Sequence, residues 1–391
     1  MNDMHRQSAP ANHRQSATPD RSPDGIGTEP PEIELPLITK AMTRQPDLVR
    51  ERARALLATG DADYARQLLA ETIREGAWTR AGLWWELVAL IEKPGNFQLI
   101  RDLWLASPRD CHDRISLIRA VARAAAVTGH HRHCRTLLRR LILMHARRGT
   151  GPLARVAGYP RRSIQTLRRL RERFSGTRRN DDFATGAREA LVDLNRAFED
   201  IGLRAFLISG TLLGLVREGG IIGWDKDIDV GVFTEECPDN LVQHFLNHNK
   251  FRLGRVDLSS DRLRAVHRNG TLIDIFPHYR EGGLRWHDGT ATRWWNTDFG
   301  LSRTEFLGIQ QYIPDDPEKY LDENYGDWRT PEPNFDARID APNAEIIDRA
   351  HFDSLLYFSL EKAARTNNPV MRQRYIGMLR ELGEGDWLDR L

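Results

Sequence analysis

Residues 209–233 read SGTLLGLVREGGIIGWDKDIDVGVF, and this stretch decides the fold of the second half of the chain. A Ser-Gly-Thr turn leads into an apolar helix, and DIDVGVF then alternates as a β-strand does. Aspartates occupy every second position at Asp225, Asp227 and Asp229. Side chains two residues apart on a strand share one face, so Asp227 and Asp229 are predicted to lie side by side, with Asp225 at the mouth of the strand.

Carboxylates this close repel one another, and a divalent cation offsets that cost. Asp274, between Ile273 and Ile275 in the strand LIDIF, would add a carboxylate from an adjacent strand. The alternative for Asp274 is a structural carboxylate paired with an arginine, and for the strand aspartates a solvated strand end. An all-oxygen set suits Mg²⁺ or Mn²⁺, which leave coordination positions for substrate phosphate. We therefore predict a metal site formed by Asp225, Asp227, Asp229 and Asp274.

The residues before the aspartates fit phosphoryl chemistry. Ser209, Gly210 and Thr211 lie where a strand meets a helix, so their N–H groups and hydroxyls would cradle a phosphate. Strand, Gly-Ser/Thr turn, helix, Asp-x-Asp strand and a later aspartate follow the layout of the nucleotidyltransferase fold. The predicted fold class is mixed, α+β or α/β: a nucleotidyltransferase-like small mixed sheet flanked by helices, preceded by an all-α helical-repeat domain.

These motifs resemble the signature of the LicD/fukutin-related family. That signature has a Ser-Gly-Thr-Leu-Leu-Gly turn, an arginine at the end of the helix, and Trp-Asp-x-Asp-x-Asp. The resemblance extends through LIDIFP at 272–277 and FLGIQQYIPDDPEKYLDENYGDWRTP at 306–331. It covers roughly residues 185–335, so the helical first half and the end of the chain lie outside it.

The resemblance implies a metal-dependent transfer of a phosphorylated alcohol, such as phosphocholine or a polyol phosphate. The donor would be a CDP-alcohol, the acceptor a sugar of a surface polysaccharide or lipopolysaccharide, and the second product CMP. Asp227 and Asp229 would hold Mg²⁺ (or Mn²⁺), Asp225 would join them or position the acceptor, and Asp274 would be a metal ligand or general base.

The resemblance also implies which residues meet the donor. Ser209, Gly210 and Arg217 would engage its phosphates, with Arg217 offsetting charge on the leaving CMP. Lys226 departs from the family pattern, where this position is often acidic or polar. Its ammonium would reduce carboxylate repulsion or contact a phosphate.

The first half of the chain shows an internal period. ALLATGDADYARQLL at residues 55–69 aligns with residues 90–104 and 124–138, at offsets of 35 and then 34 residues. Each copy has a helix end, a glycine turn and a second helix, which resembles tetratricopeptide-type repeats. The alternative is an irregular bundle of five or six helices. The predicted organisation is a disordered tail at 1–35, a helical repeat domain at 40–148, a basic linker at 149–180 and a catalytic domain at 181–391.

The basic linker is the one strongly charged region. From residue 132 to residue 179 there are fifteen arginines and a single acid, Glu172. The arginines of the linker at 149–180 would meet anionic lipid, an anionic glycan or nucleotide phosphates, or form a solvated face. Nucleic acid is a poor match, because interleaved aromatic residues are missing.

Composition and hydropathy indicate where in the cell the protein is expected. The chain has 391 residues and three cysteines, and no stretch approaches the ~20 apolar residues of a membrane helix or the h-region of a signal peptide. We expect a cytoplasmic enzyme, peripheral at the inner face of the membrane through the linker. The repeats would recruit a protein partner.

Two other functions compete with this prediction. A nucleotidyltransferase would move NMP from an NTP to a sugar phosphate or small alcohol and release pyrophosphate. A non-catalytic scaffold would keep the repeats and a degenerate second domain. A zinc site at His130, His131, His133 and Cys134 is disfavoured, because no Cys-x-x-Cys pair accompanies it.

Overall fold

The structure is a computed structural model that describes residues 45–91, 96–150, 177–223, 225–253 and 262–391. The predicted tail at 1–35, most of the basic linker, Gly95 and Trp224 lie outside these ranges.

The first half of the chain is helical, as predicted. Its helices, in chain order, are α1 (Pro46–Ala58), α2 (Ala62–Thr72), α3 (Ala81–Ala89), α4 (Phe97–Ala106), α5 (Ile115–Val127) and α6 (His131–Thr150). Gly60 and Gly129 separate α1 from α2 and α5 from α6, and both have positive φ, a conformation that favours glycine. The helices therefore follow the period in pairs, whereas their identity as tetratricopeptide repeats stays a prediction.

A mixed sheet dominates the second half. Its strands are β1 (Ala205–Leu207), β2 (Asp227–Phe233), β3 (Phe251–Leu253), β4 (Leu263–His267), β5 (Leu272–Glu281), β6 (Leu284–Asp288), β7 (Thr292–Thr297), β8 (Leu301–Phe306), β9 (Ile309–Pro314) and β10 (Ala344–Ile346). The path through the sheet is β10-β7-β6-β5-β2-β1-β9-β8, and β4 joins β3 to β5. β2 is parallel to β5, and β1 to β9, while the other pairs are antiparallel.

Helices flank this sheet. They are α7 (Thr177–Glu199), α8 (Ser209–Glu218), α9 (Leu241–Asn247), α10 (Pro317–Tyr325), α11 (Ala337–Asp340), α12 (Arg349–Arg365) and α13 (Pro369–Glu381). A mixed α/β arrangement preceded by helices is confirmed. Its closer identity as a nucleotidyltransferase-like fold remains a prediction.

Two hydrophobic cores hold the described residues together. One lies among α7, α8 and the sheet, with Phe206 and Ile228 at its centre. The other joins α1–α6 to the last two long helices, and includes Leu138, Tyr357 and Leu379. The last two long helices therefore pack on the helical half, although they lie within the range 181–391 predicted as the catalytic domain. Within the described residues, no helix has both the length and the apolar character needed to cross a bilayer.

Candidate active site

Along strand β2, buried apolar residues alternate with aspartates on the opposite face. Ile228 and Val230 are each 1% exposed and point into the core, whereas Asp227 and Asp229 are only half-buried. The parallel register places Asp229 opposite Asp274 on β5. Carboxylates from neighbouring strands are thus brought to one place, in the arrangement expected from the sequence.

Asp274 is paired with arginines, the structural alternative raised by the sequence. It is 2% exposed, and Arg264 holds it through both oxygens, with Nε 2.5 Å from Oδ1. Arg262 adds a third bond at 3.2 Å. Nη2 of Arg264 also lies 3.8 Å from Oδ2 of Asp227, so one guanidinium spans two carboxylates. Sequence analysis missed both arginines, although their spacing of two in a strand antiparallel to LIDIF is a usable signal.

The remaining carboxylates raise one another's pKa. Burial, and then the charge of Asp227, raise the pKa of Asp225 to about 6. Burial and the charge of Asp274 raise the pKa of Asp227. The pKa of Asp229 lies well above its usual value, through burial and then the charges of the other three. The cluster therefore has more negative charge than Arg262 and Arg264 neutralise.

These residues fit a divalent metal. All four offer oxygen, the donor that Mg²⁺ and Mn²⁺ prefer. Burial and mutual repulsion raise the pKa values of Asp225, Asp227 and Asp229, so a bound cation would stabilise their charged forms. A Cβ on Gly210 would lie 3.0 Å from Oδ2 of Asp225, so a side chain at this position would crowd the carboxylate.

A second acidic group lies elsewhere. Ligand atoms of Glu189, Asp193 and His267 all lie within 4.8 Å of one another, a spacing that no set of three among the site aspartates matches within the described residues. Nζ of Lys250 is 2.6 Å from Asp193, and Arg268 is 3.3 Å from Glu189. That group already contains its cations.

The Ser-Gly-Thr turn is fixed to the aspartate strand. The N–H of Asp229 donates to Oγ1 of Thr211 at 2.9 Å, and the N–H of Ile208 donates to the carbonyl oxygen of Asp229 at 3.2 Å. Ser209 has φ of 50°, an uncommon value outside glycine that often marks functional sites. Thr211 is 4% exposed, so its hydroxyl positions the strand and does not face open space.

Two cavities meet at the aspartates. The larger, about 710 Å³, is lined by Asp225 and Arg217 among others. The smaller, about 490 Å³, is lined by Asp229 and Ser209. Gly210 and Tyr325 line both, so the turn lies between them. A reaction between two substrates needs two such spaces that share one centre.

Two predicted binding residues lie at different depths. Arg217 is largely buried: Nη1 donates to the carbonyl oxygen of Trp328 at 3.1 Å and Nη2 to Glu218 at 2.9 Å. Lys226 is exposed, and its backbone N–H donates to Oδ1 of Asp225 at 3.0 Å.

Aromatic residues complete the cavity walls. Tyr325, the last residue of α10, faces both cavities, and burial raises its hydroxyl pKa above the usual value. Trp294 lines the smaller cavity and donates its indole N–H to the carbonyl oxygen of Ala337 at 2.9 Å. Its neighbour Trp295 bonds Glu345 at 2.8 Å.

Comparison with known proteins agrees with the motifs. Residues 202–316 match the family model described as LicD/FKTN/FKRP, nucleotidyltransferase domain. This match contains the turn, the β2 aspartates and Asp274, and leaves out α1–α6 and the end of the chain.

Two kinds of curated relative are similar to part of this chain. The mouse protein named "Ribitol-5-phosphate transferase FKTN" is 31% identical over 173 residues, which cover 42% of this chain and 37% of that protein. The human protein named "Ribitol 5-phosphate transferase FKRP" is 25% identical over 142 residues, 33% of this chain and 28% of that protein. The chain thus spans about a third of the length of these relatives.

Proposed function

Because residues 202–316 form a domain of the LicD/FKTN/FKRP family, we propose that the protein is a metal-dependent phosphotransferase. It moves a phosphorylated alcohol from a CDP-linked donor to a sugar of a surface polysaccharide or lipopolysaccharide. The names of the relatives support the transferred group, since both FKTN and FKRP are called ribitol phosphate transferases.

The observation that carries the proposal is the carboxylate cluster between two cavities. Asp225 faces the larger cavity and Asp229 the smaller one, and both carboxyl groups have raised pKa values. A site of this kind places two substrates on either side of a cluster that carries excess negative charge. Such an arrangement suits group transfer between them better than binding of a single ligand.

Each residue has a proposed task. Asp225, Asp227, Asp229 and Asp274 would hold Mg²⁺ or Mn²⁺, which when bound neutralises phosphate charge. Arg264 holds Asp274 in place through both carboxylate oxygens. The turn at Ser209 and Gly210 offers N–H groups to the donor phosphates, and Arg217 lies at the larger cavity to meet charge on the reacting phosphate.

The other candidates have less support. The nucleotidyltransferase alternative uses the same cluster and differs in releasing pyrophosphate instead of CMP. The scaffold alternative leaves the cluster without a purpose, since mutually repelling carboxylates cost stability. A cytoplasmic location, with membrane contact through residues 149–180, and a protein partner on the helices rest on the sequence alone.

Calorimetric titration tests the proposal. The ligands are CDP-ribitol, CDP-choline, CDP-glycerol, CTP and ATP, each with and without Mg²⁺. We expect metal-dependent binding of a CDP-alcohol that Asp227→Asn abolishes, because the variant removes one oxygen charge from the cluster. Binding of CTP or ATP alone would transfer support to the nucleotidyltransferase alternative.

A further inference from the structure

The smaller cavity is built by three separate parts of the chain. Asp229 and Arg262 come from the sheet, Arg338 from α11, and Arg123 from α5 in the helical half. Leu355 on α12 also lines it. The helical half lies outside the family match, so this wall is a feature of this chain and not of the matched domain.

Two of the three arginines are held rigidly. Arg338 donates to both oxygens of Asp336, at 2.9 and 2.7 Å, and to Ser359 at 2.8 Å. Arg262 donates to Asp274 at 3.2 Å. Their guanidinium groups therefore reach the cavity in fixed positions, which lowers the entropy cost of binding an anion.

The helix that carries Arg123 is anchored next to it. Arg119, one turn earlier on α5, lies 3.4 Å from Glu361 of α12, whose side chain is 1% exposed. His145 of α6 lies 3.0 Å from the same carboxylate. This buried junction fixes α5 against α12, and so holds the half-buried Arg123 at the wall of the cavity.

The two cavities differ in charge. Besides its arginines, the smaller cavity has a single acidic residue in its described wall, Asp229. The larger cavity has more acids than bases in its wall: Asp225, Asp327, Glu332 and Asp340 against Arg217 and Arg374. The smaller cavity therefore favours an anion, and the larger one favours a neutral ligand rich in hydroxyl groups.

We propose that the smaller cavity binds the diphosphate of the nucleotide-linked donor, and that Arg123 of the helical half is one of its binding residues. This inference rests on the proposed function. It makes α5 a wall of the active site, in addition to any role of the helices in recruiting partners. A phosphorylated acceptor has the same chemistry, and the experiment separates the two sources.

Binding of CDP, CMP and cytidine in the presence of Mg²⁺ tests the inference by calorimetry. Arg123→Gln removes the charge, and Arg123→Lys keeps the charge but loses the fork of donors. Arg140→Gln is the matched control, because this arginine pairs with exposed Asp113 on the surface of the helical half at 2.8 Å. We expect Arg123→Gln to weaken CDP at least about 10-fold, CMP less and cytidine not at all, with Arg123→Lys intermediate and the control unchanged.

Four results would overturn the inference. A folded Arg123→Gln variant that binds CDP within twofold of the unaltered protein removes Arg123 from the donor site. Unchanged CDP affinity with a raised KM for a phosphorylated acceptor assigns the cavity to that acceptor. If Arg123→Gln does not fold, an unchanged CDP affinity of Arg123→Lys contradicts a role of Arg123 in the donor site. If the unaltered protein does not bind CDP at all, the proposed function fails together with the inference. This result differs from failure of the Arg123 assignment alone, in which the unaltered protein still binds CDP.

Discussion

Asp229 shows at the scale of one residue what the site costs the fold. It is half-buried in β2 beside three other aspartates, and its pKa is raised well above the usual value. A carboxyl group whose pKa is higher in the folded state contributes stability below its unfolded pKa and loses it as pH rises through the folded pKa. Near pH 8 without metal, Asp229 therefore destabilises the protein.

Replacing this carboxylate should stabilise the metal-free protein. We expect Asp229→Asn to raise the free energy of unfolding at pH 8 in EDTA by on the order of 1 kcal/mol, because the neutral amide no longer repels its neighbours. Urea denaturation measures the change, with the exposed Asp386→Asn as a control expected near zero. A less stable Asp229→Asn variant at pH 8 would contradict the claim that the aspartate cluster carries excess negative charge.

Metal binding should depend on pH in a defined direction. Ligand carboxyls must lose their protons, and the pKa of Asp225 is about 6 while those of Asp227 and Asp229 are also raised. We therefore expect Mn²⁺ to raise the thermal midpoint little at pH 5 and progressively more up to pH 8. Subtracting the thermal midpoint of the metal-free protein at each pH removes the contribution of titratable groups far from the site.

The Asp227→Asn variant is the control for this measurement. Its metal-induced shift should be small at every pH, because one ligand charge is missing. A shift of equal size at pH 5 and pH 8 in the unaltered protein would place the metal at groups whose pKa values are not raised.

The position of a single side chain could be predicted from the sequence where it depends only on residue spacing. The alternation of DIDVGVF placed Asp227 and Asp229 on one face, as the structure shows. The partners of Asp274 were not predicted, because Arg264 meets it through strand register, which sequence spacing alone leaves open. Thr211 likewise proved to bond the N–H of Asp229, a contact that depends on how the turn meets β2.

At the scale of elements, β2 depends on a position without a side chain. A Cβ on Gly231 would lie 2.4 Å from the ring of Phe206 and 2.7 Å from His278. We expect Gly231→Ala to destabilise the protein by about 1–3 kcal/mol, as overpacking in a core does. Circular dichroism during thermal unfolding measures the loss.

Gly377 provides the matched control. It lies within α13, and a Cβ there would meet no atom within 4 Å. Gly377→Ala should therefore be neutral or raise stability by up to about 1 kcal/mol through helix propensity. Equal destabilisation by both variants would show that the tight packing around β2 is not the cause.

Elements were predicted well where their pattern is local. The strand DIDVGVF has the bounds Asp227–Phe233, and the strand predicted at LIDIF lies within β5, which pairs antiparallel with β4. The parallel pairing of β2 with β5 and of β1 with β9 joins distant segments, and no local pattern specifies it.

At the scale of the whole molecule, one buried carboxylate connects the two ends of the chain. Glu361 on α12 contacts Arg119, His145 and Arg365, and its side chain is 1% exposed. We expect Glu361→Gln to lower the free energy of unfolding by roughly 1–3 kcal/mol, since it removes the buried charged acceptor that these three side chains share. Asp389→Asn, which breaks an exposed pair with Arg380, should change it by less than about 0.5 kcal/mol.

Denaturant unfolding of both variants compares these values. A loss for Glu361→Gln no larger than for Asp389→Asn would mean that the junction does not hold the helices together. The position of α12 and α13 against α1–α6 was not predicted from sequence, because contacts between segments more than 200 residues apart leave no periodic signal. For the same reason, the presence of Arg123 in the site could not be expected.

The measurement that tests the central claim most directly is ³¹P NMR of CDP-ribitol incubated with the protein, Mg²⁺ and a polysaccharide acceptor whose sugar hydroxyl receives the ribitol phosphate as CMP leaves. We predict that the diphosphate signals disappear while CMP and a ribitol phosphate product appear, and that EDTA or Asp229→Asn stops this conversion. Intact CDP-ribitol after incubation, together with pyrophosphate release from CTP and a sugar phosphate, would contradict phosphoalcohol transfer and identify a nucleotidyltransferase.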